Sequence, residues 1–484
     1  MSFTTRLVSR ALPTLITAML ACGASADTLK EIYELALEND AQLKADEATY
    51  RSNLETEALG RAALLPQVNA NYDFTDSDTD TDAETIDINE DGNDFTTIDT
   101  STNVDVDREG YQVSLNQALF DLPAWFTFQA GKEVTKQAEA TFAANQQDLI
   151  VRTVEAYLGV LRAQDNLEAS QARERAFKRQ LEQTQQRFEV GLIAITDVHE
   201  SQAAYDLAQV DRIVDENNVN VALERLSVLT GRYHSNLYLL AEDFNIRPPD
   251  PIQRSDWVDF ALENNFRLAA AEYGEEAARQ TAQANRSEHL PKVSGSIAYS
   301  DYETDGSLNR KPPAIFDTSP DQDQEQEVYS IRVDVPLFSG GAISANRRRS
   351  AQDFIAARES RINLMRNTVT NTRSLHMTVV SDVARVKARG QSIVSSQSAL
   401  DATTAGYEVG TRNVVDVLDA QNVLFSAKRD YANARYDYII NVMRLKEQAG
   451  LLSPEDIYNL DRNLIPPPSP TATSRSSESP YPTK

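Results

Sequence analysis

The chain carries one recognisable segment twice. Residues 188–202 read FEVGLIAITDVHESQ, and residues 407–421 read YEVGTRNVVDVLDAQ. A Leu-Pro pair at 65–66 returns at 290–291. Two copies of so long a period, with no shorter period inside them, indicate duplication of a whole domain and a pseudo-twofold structure rather than a solenoid.

The duplication divides the chain into four parts. They are an expected signal peptide at 1–26, a first repeat at 27–247, a second repeat at 248–460 and an expected disordered tail at 461–484. Arg6 and Arg10 precede an apolar stretch that ends in the small-residue cleavage pattern Ala-Ser-Ala at 24–26, which is typical of export. The tail is rich in proline and serine.

Composition restricts the classes of function. Cys22 is the only cysteine, and its lipidation is the second-ranked alternative to cleavage after residue 26. After the signal segment there is no apolar run of about 20 residues, so we expect no membrane-spanning helix. The formal net charge is −26, and a surface of this sign repels nucleic acid.

Two long stretches are built for helices. Residues 124–247 and 337–453 contain no proline, which inside a helix costs about 3 kcal/mol. Apolar residues recur there at steps of three and four, an amphipathic pattern typical of coiled coils. Each repeat is therefore predicted to hold a long helix, over roughly 124–189 in the first copy, then a turn and a returning helix that ends at 231 or 450. The glycines at these turns and ends are Gly191, Gly231, Gly410 and Gly450.

Four short segments alternate apolar and polar residues with a period of two. They are predicted strands at about 65–75, 109–120, 291–302 and 327–338. The alternation fits a half-buried soluble sheet or a transmembrane β-barrel, and export, acidity and terminal tyrosines favour the barrel. Four strands cannot close a barrel, and open edges are not tolerated in lipid. Three copies of the chain would supply twelve strands.

The segments between the paired strands, 75–109 and 303–327, are strongly acidic and are predicted loops. The pattern Asp-x-Asn-x-Asp-Gly at 87–92 begins like a calcium-binding EF-hand loop. Its twelfth position is Ile98 instead of glutamate. A solvated acidic loop is therefore favoured over a calcium site, although the sequence leaves the point open.

Signatures of enzymes are absent from the sequence. The histidines are scattered, and His199-Glu200 does not continue to the HExxH pattern of metalloproteases. We predict no catalytic residue, metal ligand or cofactor. A periplasmic scaffold or adaptor protein and a secreted calcium-binding protein remain the rival classes.

The second copy of the repeated turn carries Asp416 and Asp419, three residues apart on one helix face. Acids at a helix start favour the helix dipole, which is enough to explain one of them. Alternatively, in a trimer the two residues would form stacked carboxylate rings that select cations. The residues alone favour the first interpretation.

The segments 180–197 and 407–421, together with Leu-Phe-Asp at 119–121 and Pro-Leu-Phe-Ser-Gly-Gly at 336–341, closely resemble TolC-type outer-membrane efflux and secretion channels. The resemblance covers roughly residues 27–460. It implies a mixed α and β membrane protein, in which a trimeric twelve-stranded transmembrane β-barrel continues into a long periplasmic α-helical barrel.

The resemblance also implies partners and site residues. Such channels act with a periplasmic adaptor protein and an inner-membrane pump, either an ABC transporter or a proton-driven exporter, to pass proteins or small toxic compounds. The implied entrance lock consists of Thr196, Asp197, Tyr407 and Arg412. Asp416 and Asp419 then match the constricting acid rings, which reverses the preference stated above.

Overall fold

The computed structural model describes residues 26–88, 95–313 and 320–467. Its helices are α1 (Leu29–Asn39), α2 (Ala41–Ala62), α3 (Leu122–Glu189), α4 (Ile195–Thr230), α5 (Arg254–Asn264), α6 (Phe266–Ser287), α7 (Ala342–Glu408), α8 (Val414–Gln448) and α9 (Pro454–Asp461). Its strands are β1 (Gln67–Ile88), β2 (Phe95–Phe120), β3 (Leu239–Leu240), β4 (Lys292–Lys311), β5 (Gln322–Asp334) and β6 (Leu464–Ile465).

Two very long helical hairpins dominate the molecule. The helix α3 has 68 residues and α7 has 67, so each is about 100 Å long at 1.5 Å per residue. Asp121 caps α3 by accepting a hydrogen bond from the Ala124 amide, and Pro123 occupies the first turn, where a missing N–H costs nothing. Within the described ranges, no helix is both long and apolar enough to cross a membrane.

The four long strands form one antiparallel sheet in the order β1-β2-β4-β5. The register places Val68 opposite Leu115, and Leu115 opposite Ile297. Ile297 in turn lies opposite Tyr329. Because side chains alternate between faces along a strand, the apolar residues of all four segments share one face of the sheet.

The strands are much longer than the sequence analysis predicted. Residues 75–109 were expected as a loop, but β1 runs to Ile88 and β2 starts at Phe95. The prediction was wrong because polar residues occupy both faces there, which hides the period of two from a hydrophobicity pattern. Asp76, Asp78 and Asp80 still alternate with threonine and serine, and threonine favours strands.

The second acidic segment, 303–327, shows the same correction. Strand β4 continues to Lys311 and β5 already begins at Gln322. At the other end, β5 stops at Asp334 instead of reaching 338, since Pro336 cannot donate a ladder hydrogen bond. Among the described residues, no group of histidine, cysteine, aspartate and glutamate could hold a metal ion. The calcium-like pattern at 87–92 falls largely outside those residues.

The chain ends also differ in part from expectation. Residues 461–465 were expected to be disordered, yet β6 pairs with β3. Leu464 is buried in the main hydrophobic core, which explains why this part of the tail is fixed. The expected signal segment, with Cys22, and residues 468–484 lie outside the described residues.

The main hydrophobic core surrounds the middle of α3. Tyr157, Leu158 and Leu161 are fully buried there against Leu226 of α4 and Leu445 of α8. The Tyr157 hydroxyl donates to the carbonyl of Tyr238 at 2.8 Å, which satisfies its only buried polar atom. Each such side chain contributes about 1.5–3 kcal/mol on burial, so this region joins the two hairpins firmly.

Beyond this core, polar contacts join α3 to α8. Arg162 pairs with Asp437 at 2.5 Å. The Tyr436 hydroxyl donates to Asp165 at 2.6 Å. Burial raises the pKa of Asp165 above its ordinary value, although the bond from Tyr436 opposes that effect. Ionising this carboxyl in the folded protein is therefore unfavourable.

The wild-type protein should lose stability as the pH rises and the Asp165 carboxyl ionises. We expect Asp165→Asn to abolish this pH-dependent loss. The native carboxyl titrates above the ordinary value of about 3.9, so the native state binds the extra proton and its stability falls as the pH rises through that window. Asparagine still accepts from Tyr436 and cannot ionise. The thermal midpoint of the variant relative to wild type should thus be higher at pH 8 than near pH 4, by differential scanning fluorimetry.

Asp259→Asn, at an exposed position on α5, is the matched control and should show no such trend. A difference between Asp165→Asn and wild type that is constant with pH would contradict the account of the buried carboxyl.

Candidate functional site

Both helical hairpins close through the same backbone turn. After α3, the amide of Gly191 donates to the Phe188 carbonyl at 2.8 Å and that of Leu192 to the Arg187 carbonyl at 2.9 Å. After α7, the amides of Gly410 and Thr411 repeat this pattern onto Tyr407 and Gly406. Gly191 and Gly410 have φ of 75° and 77°, a conformation that residues with a Cβ adopt at a cost.

The helix that follows the second turn has a complete cap. Asn413 accepts from the amide of Asp416 at 2.8 Å, and Asp416 accepts from the amide of Asn413 at 3.3 Å. Arg412 lies 3.7 Å from the same carboxylate. Asp416 therefore stabilises the start of α8, as the simpler interpretation predicted.

The first turn lacks such a cap. Ala194 occupies the N-cap position of α4 and offers no side-chain acceptor. Thr196 is exposed and donates to Asp197 at 3.3 Å. These two side chains are thus free to meet a partner outside the hairpin.

A small apolar cluster, here called the tip cluster, holds the second turn against the first hairpin. It consists of Phe177, Ala208, Tyr407, Val414, Val417 and Leu418. Tyr407 is buried in it, and the Arg187 guanidinium lies over the Tyr407 ring, 4.6 Å from its centre. Among the residues that the structure describes, none offers a hydrogen-bond partner to the buried Tyr407 hydroxyl, so the ring rather than the hydroxyl makes the contact.

The expected lock residues of the first turn are not joined to those of the second turn in the single chain. Among the described residues, no hydrogen bond or ion pair joins Tyr407 or Arg412 to Thr196 or Asp197. Asp419 is exposed on α8, one helical turn beyond Asp416. The roles of these residues in a lock and in acid rings stay predictions.

Sequence reasoning missed Arg187. The position that matches it in the second copy of the repeat is Gly406, where an added Cβ would meet the Arg412 side chain at 2.8 Å. The duplicated position thus holds an arginine that contacts Tyr407 in one copy, and in the other a glycine over which Arg412 folds. A comparison of the two copies for positions that differ in charge and size could have found it.

Comparison with known proteins decides the family. The sequence profile of the family described as outer membrane efflux protein matches residues 32–232 and 257–451. The chain belongs to the outer membrane efflux protein family.

Several relatives of the chain match along almost its whole length. Outer membrane protein TolC of Vibrio cholerae is 32% identical over 464 residues, which cover 94% of this chain and 99% of that protein. The alkaline protease secretion protein AprF of Pseudomonas aeruginosa is 31% identical, covering 90% of this chain and 86% of that protein. The expected function and location, an outer-membrane channel for export, are confirmed by these relatives.

Solved structures show the same fold. The outer membrane protein VceC of Vibrio cholerae superposes with a TM-score of 0.70 at 16% identity, covering 87% of this chain and 96% of that one. The outer membrane channel CmeC of Campylobacter jejuni gives a TM-score of 0.68 at 15% identity, covering 96% and 98%.

We expect Arg187→Gln to loosen the second turn. A cation over an aromatic ring contributes about 0.5–1 kcal/mol at such a site, which corresponds to a roughly two- to fivefold faster local opening. Hydrogen exchange at the amides of residues 407–413 should accelerate by that factor.

Arg179→Gln, at an exposed arginine of the same helix, is the control and should exchange like wild type. Exchange that stays unchanged in Arg187→Gln would show that the arginine does not hold the tip.

Proposed function

We propose that this family member works as a homotrimeric conduit, in which three copies of its sheet close one twelve-stranded barrel. The observation that carries the proposal is the sheet itself. Strands β1 and β5 are its outer strands, and all four strands carry apolar residues on the same face in the part of the sheet nearest the helices. Unpaired backbone groups cost several kcal/mol each in lipid, so the two edges need partners. Pairing β1 of one copy with β5 of the next supplies them.

The apolar face is the face that would meet lipid. On this face Tyr72 lies opposite Tyr111. Tyr299 lies opposite Val113, two residues along β2 from Tyr111, and its ring is 6.0 Å from the Tyr111 ring. Tyrosine favours the boundary between lipid and water. The long helices α3 and α7 follow the ends of β2 and β5. They would form the periplasmic helical barrel.

Element lengths support the proposal of two repeats, 27–247 and 248–460. Helices α1 and α5 both have 11 residues, and α2 and α6 both have 22. The returning helices α4 and α8 have 36 and 35. The two separate matches to one family profile fall on the same halves.

The proposed partners are a periplasmic adaptor protein and an inner-membrane pump, either an ABC transporter or a proton-driven exporter. Relatives named for protease secretion and for cobalt-zinc-cadmium resistance support a cargo of proteins, small toxic solutes or both. The helical turns are the part of the chain that would face the pump.

The entrance would be held shut between hairpins of neighbouring copies. Within the described part of the chain, no other element bonds to Thr196 or Asp197, and the ion pair of the exposed Arg412 is the long one to Asp416. Each Arg–carboxylate or Tyr–carboxylate link at such an exposed place contributes about 1–2 kcal/mol at most. Threefold repetition would keep the entrance closed while still allowing adaptor binding to open it.

Planar-bilayer recording of protein extracted from membranes in detergent tests the proposal. Wild type should give small, mostly closed channels. Arg412→Ser with Tyr407→Phe should raise single-channel conductance several-fold, because the links proposed for these side chains between neighbouring copies would be lost, whereas Arg412→Lys should behave nearly as wild type. Protein that is soluble without detergent and forms no channel would favour the scaffold class instead. If the double variant has the same conductance as wild type, the proposed entrance lock is wrong.

We further expect Asp416→Asn with Asp419→Asn to weaken cation selectivity and to abolish block by trivalent cations, since rings of carboxylates attract such ions. Asparagine retains hydrogen-bonding groups at the start of α8, so the comparison isolates charge. Reversal potentials in a KCl gradient give the readout, with Glu38→Gln, on the exposed side of α1, as the control. Selectivity equal to wild type would exclude the rings.

A further inference from the structure

Farther from the helices than Tyr72 and Tyr111, the two faces of the sheet carry different charges. On the apolar side, the strands continue as rows of carboxylates. Asp76 lies opposite Asp107, and Asp78 opposite Asp105. Because register keeps these acids on the face of Tyr72, they belong to the outside of the proposed barrel.

The other face, which would line the lumen, has a different composition. Serine, threonine, asparagine and glutamine dominate it, and three arginines interrupt them: Arg108, Arg310 and Arg332. None of the three has a carboxylate within ion-pair distance in the part of the chain that the structure describes. Asp73 and Asp334 share this face, as does Lys292, which pairs with Glu288 at 3.1 Å.

The arginines lie at three depths. Arg108 is opposite Thr304 of β4, Arg310 opposite Thr102, and Arg332 opposite Ser294. Along β2, at about 3.4 Å per residue, Thr102 lies roughly 20 Å outward from Arg108. The position level with Ser294 is Ala118, about 34 Å inward by the same spacing.

Arg108 is held against the wall of the sheet. Its guanidinium lies over the Tyr302 ring, 4.1 Å from the centre. Tyr302 crosses Gly110, where an added Cβ would come within 2.5 Å of the ring. Cation–π contact leaves the guanidinium hydrogens free to meet an anion.

We propose that the barrel lumen is a basic exit, in which threefold rings of Arg332, Arg108 and Arg310 attract anionic groups of the passing cargo. This inference rests on the trimeric barrel proposed above. Guanidinium groups bind carboxylates and phosphates with paired hydrogen bonds, and rings of charged side chains set the sign of the ions that a pore favours. The exit would thus carry the opposite charge to the acidic entrance at Asp416 and Asp419. Most carboxylates of the sheet lie on its outer face and do not line the lumen.

The test measures reversal potentials in a low-salt KCl gradient. The background is Asp416→Asn with Asp419→Asn, because the narrow entrance otherwise dominates selectivity. Adding Arg108→Gln and Arg332→Gln should move the reversal potential toward the K⁺ equilibrium potential. The shift should fade in concentrated salt, since the screening length falls from about 10 Å at 0.1 M to about 3 Å at 1 M.

Two matched variants control the test. Arg108→Lys with Arg332→Lys keeps both charges and should leave the reversal potential unchanged. Asp107→Asn removes a charge next to Arg108 in the chain but on the outer face, and should also have no effect.

Channels whose reversal potential ignores the glutamine changes would overturn the basic exit alone. A shift toward the Cl⁻ potential in Asp107→Asn as large as the arginine effect would reverse the face assignment and overturn it as well. If the wild-type protein forms no channels, the proposal of a trimeric conduit is wrong, and the basic exit that rests on it is wrong as well.

Discussion

Unpaired backbone groups on the outer strands β1 and β5 set the requirement that shapes the rest of the molecule. A sheet with one apolar face and two open edges cannot stand alone in lipid. In the proposed trimer the edges would pair between copies, and the helices that leave the sheet would become neighbours around the same axis. The long helices then need no membrane-spanning character of their own, which agrees with their polar composition.

The proposed duplication would build this geometry from two similar halves of the chain. Each proposed repeat contributes two strands and one hairpin, and the two hairpins differ at their turns. The second turn carries a capping box of Asn413 and Asp416, whereas the first starts α4 without a side-chain cap. The same position holds Arg187 in one copy and Gly406 in the other. The proposed duplication, followed by divergence, would thus give one hairpin a capped turn and the other an exposed set of donors and acceptors.

The parts of the fold that follow local rules could be predicted from the sequence. Proline-free stretches, glycines at Gly191 and Gly410, and the apolar alternation around Val68 and Ile331 locate the hairpins and the apolar parts of the strands. The extension of β1 to Ile88 could not be read, because alternation between aspartate and threonine gives no hydrophobic period. The Arg187–Tyr407 contact was equally hidden, since it depends on how two distant hairpins pack. The turn sequences were enough to locate the site. Which side chains contact each other there depends on tertiary packing, which the sequence does not show.

Stability is distributed unevenly along the hairpins, and this distribution suits a gated entrance. The main core around Tyr157 and Leu445 buries large side chains completely. Toward the turns, apolar contact shrinks to the tip cluster. Among the described residues, the buried atoms without hydrogen-bond partners in this part include Gln180 Nε2, Tyr407 Oη and Gln421 Oε1. Each unsatisfied buried group costs about 1–3 kcal/mol, so the distal hairpins gain little from staying in this arrangement. A segment of low local stability opens before the rest unfolds. The main core around Tyr157 and Leu445 would therefore stay in place while the second turn moves at a small cost in free energy.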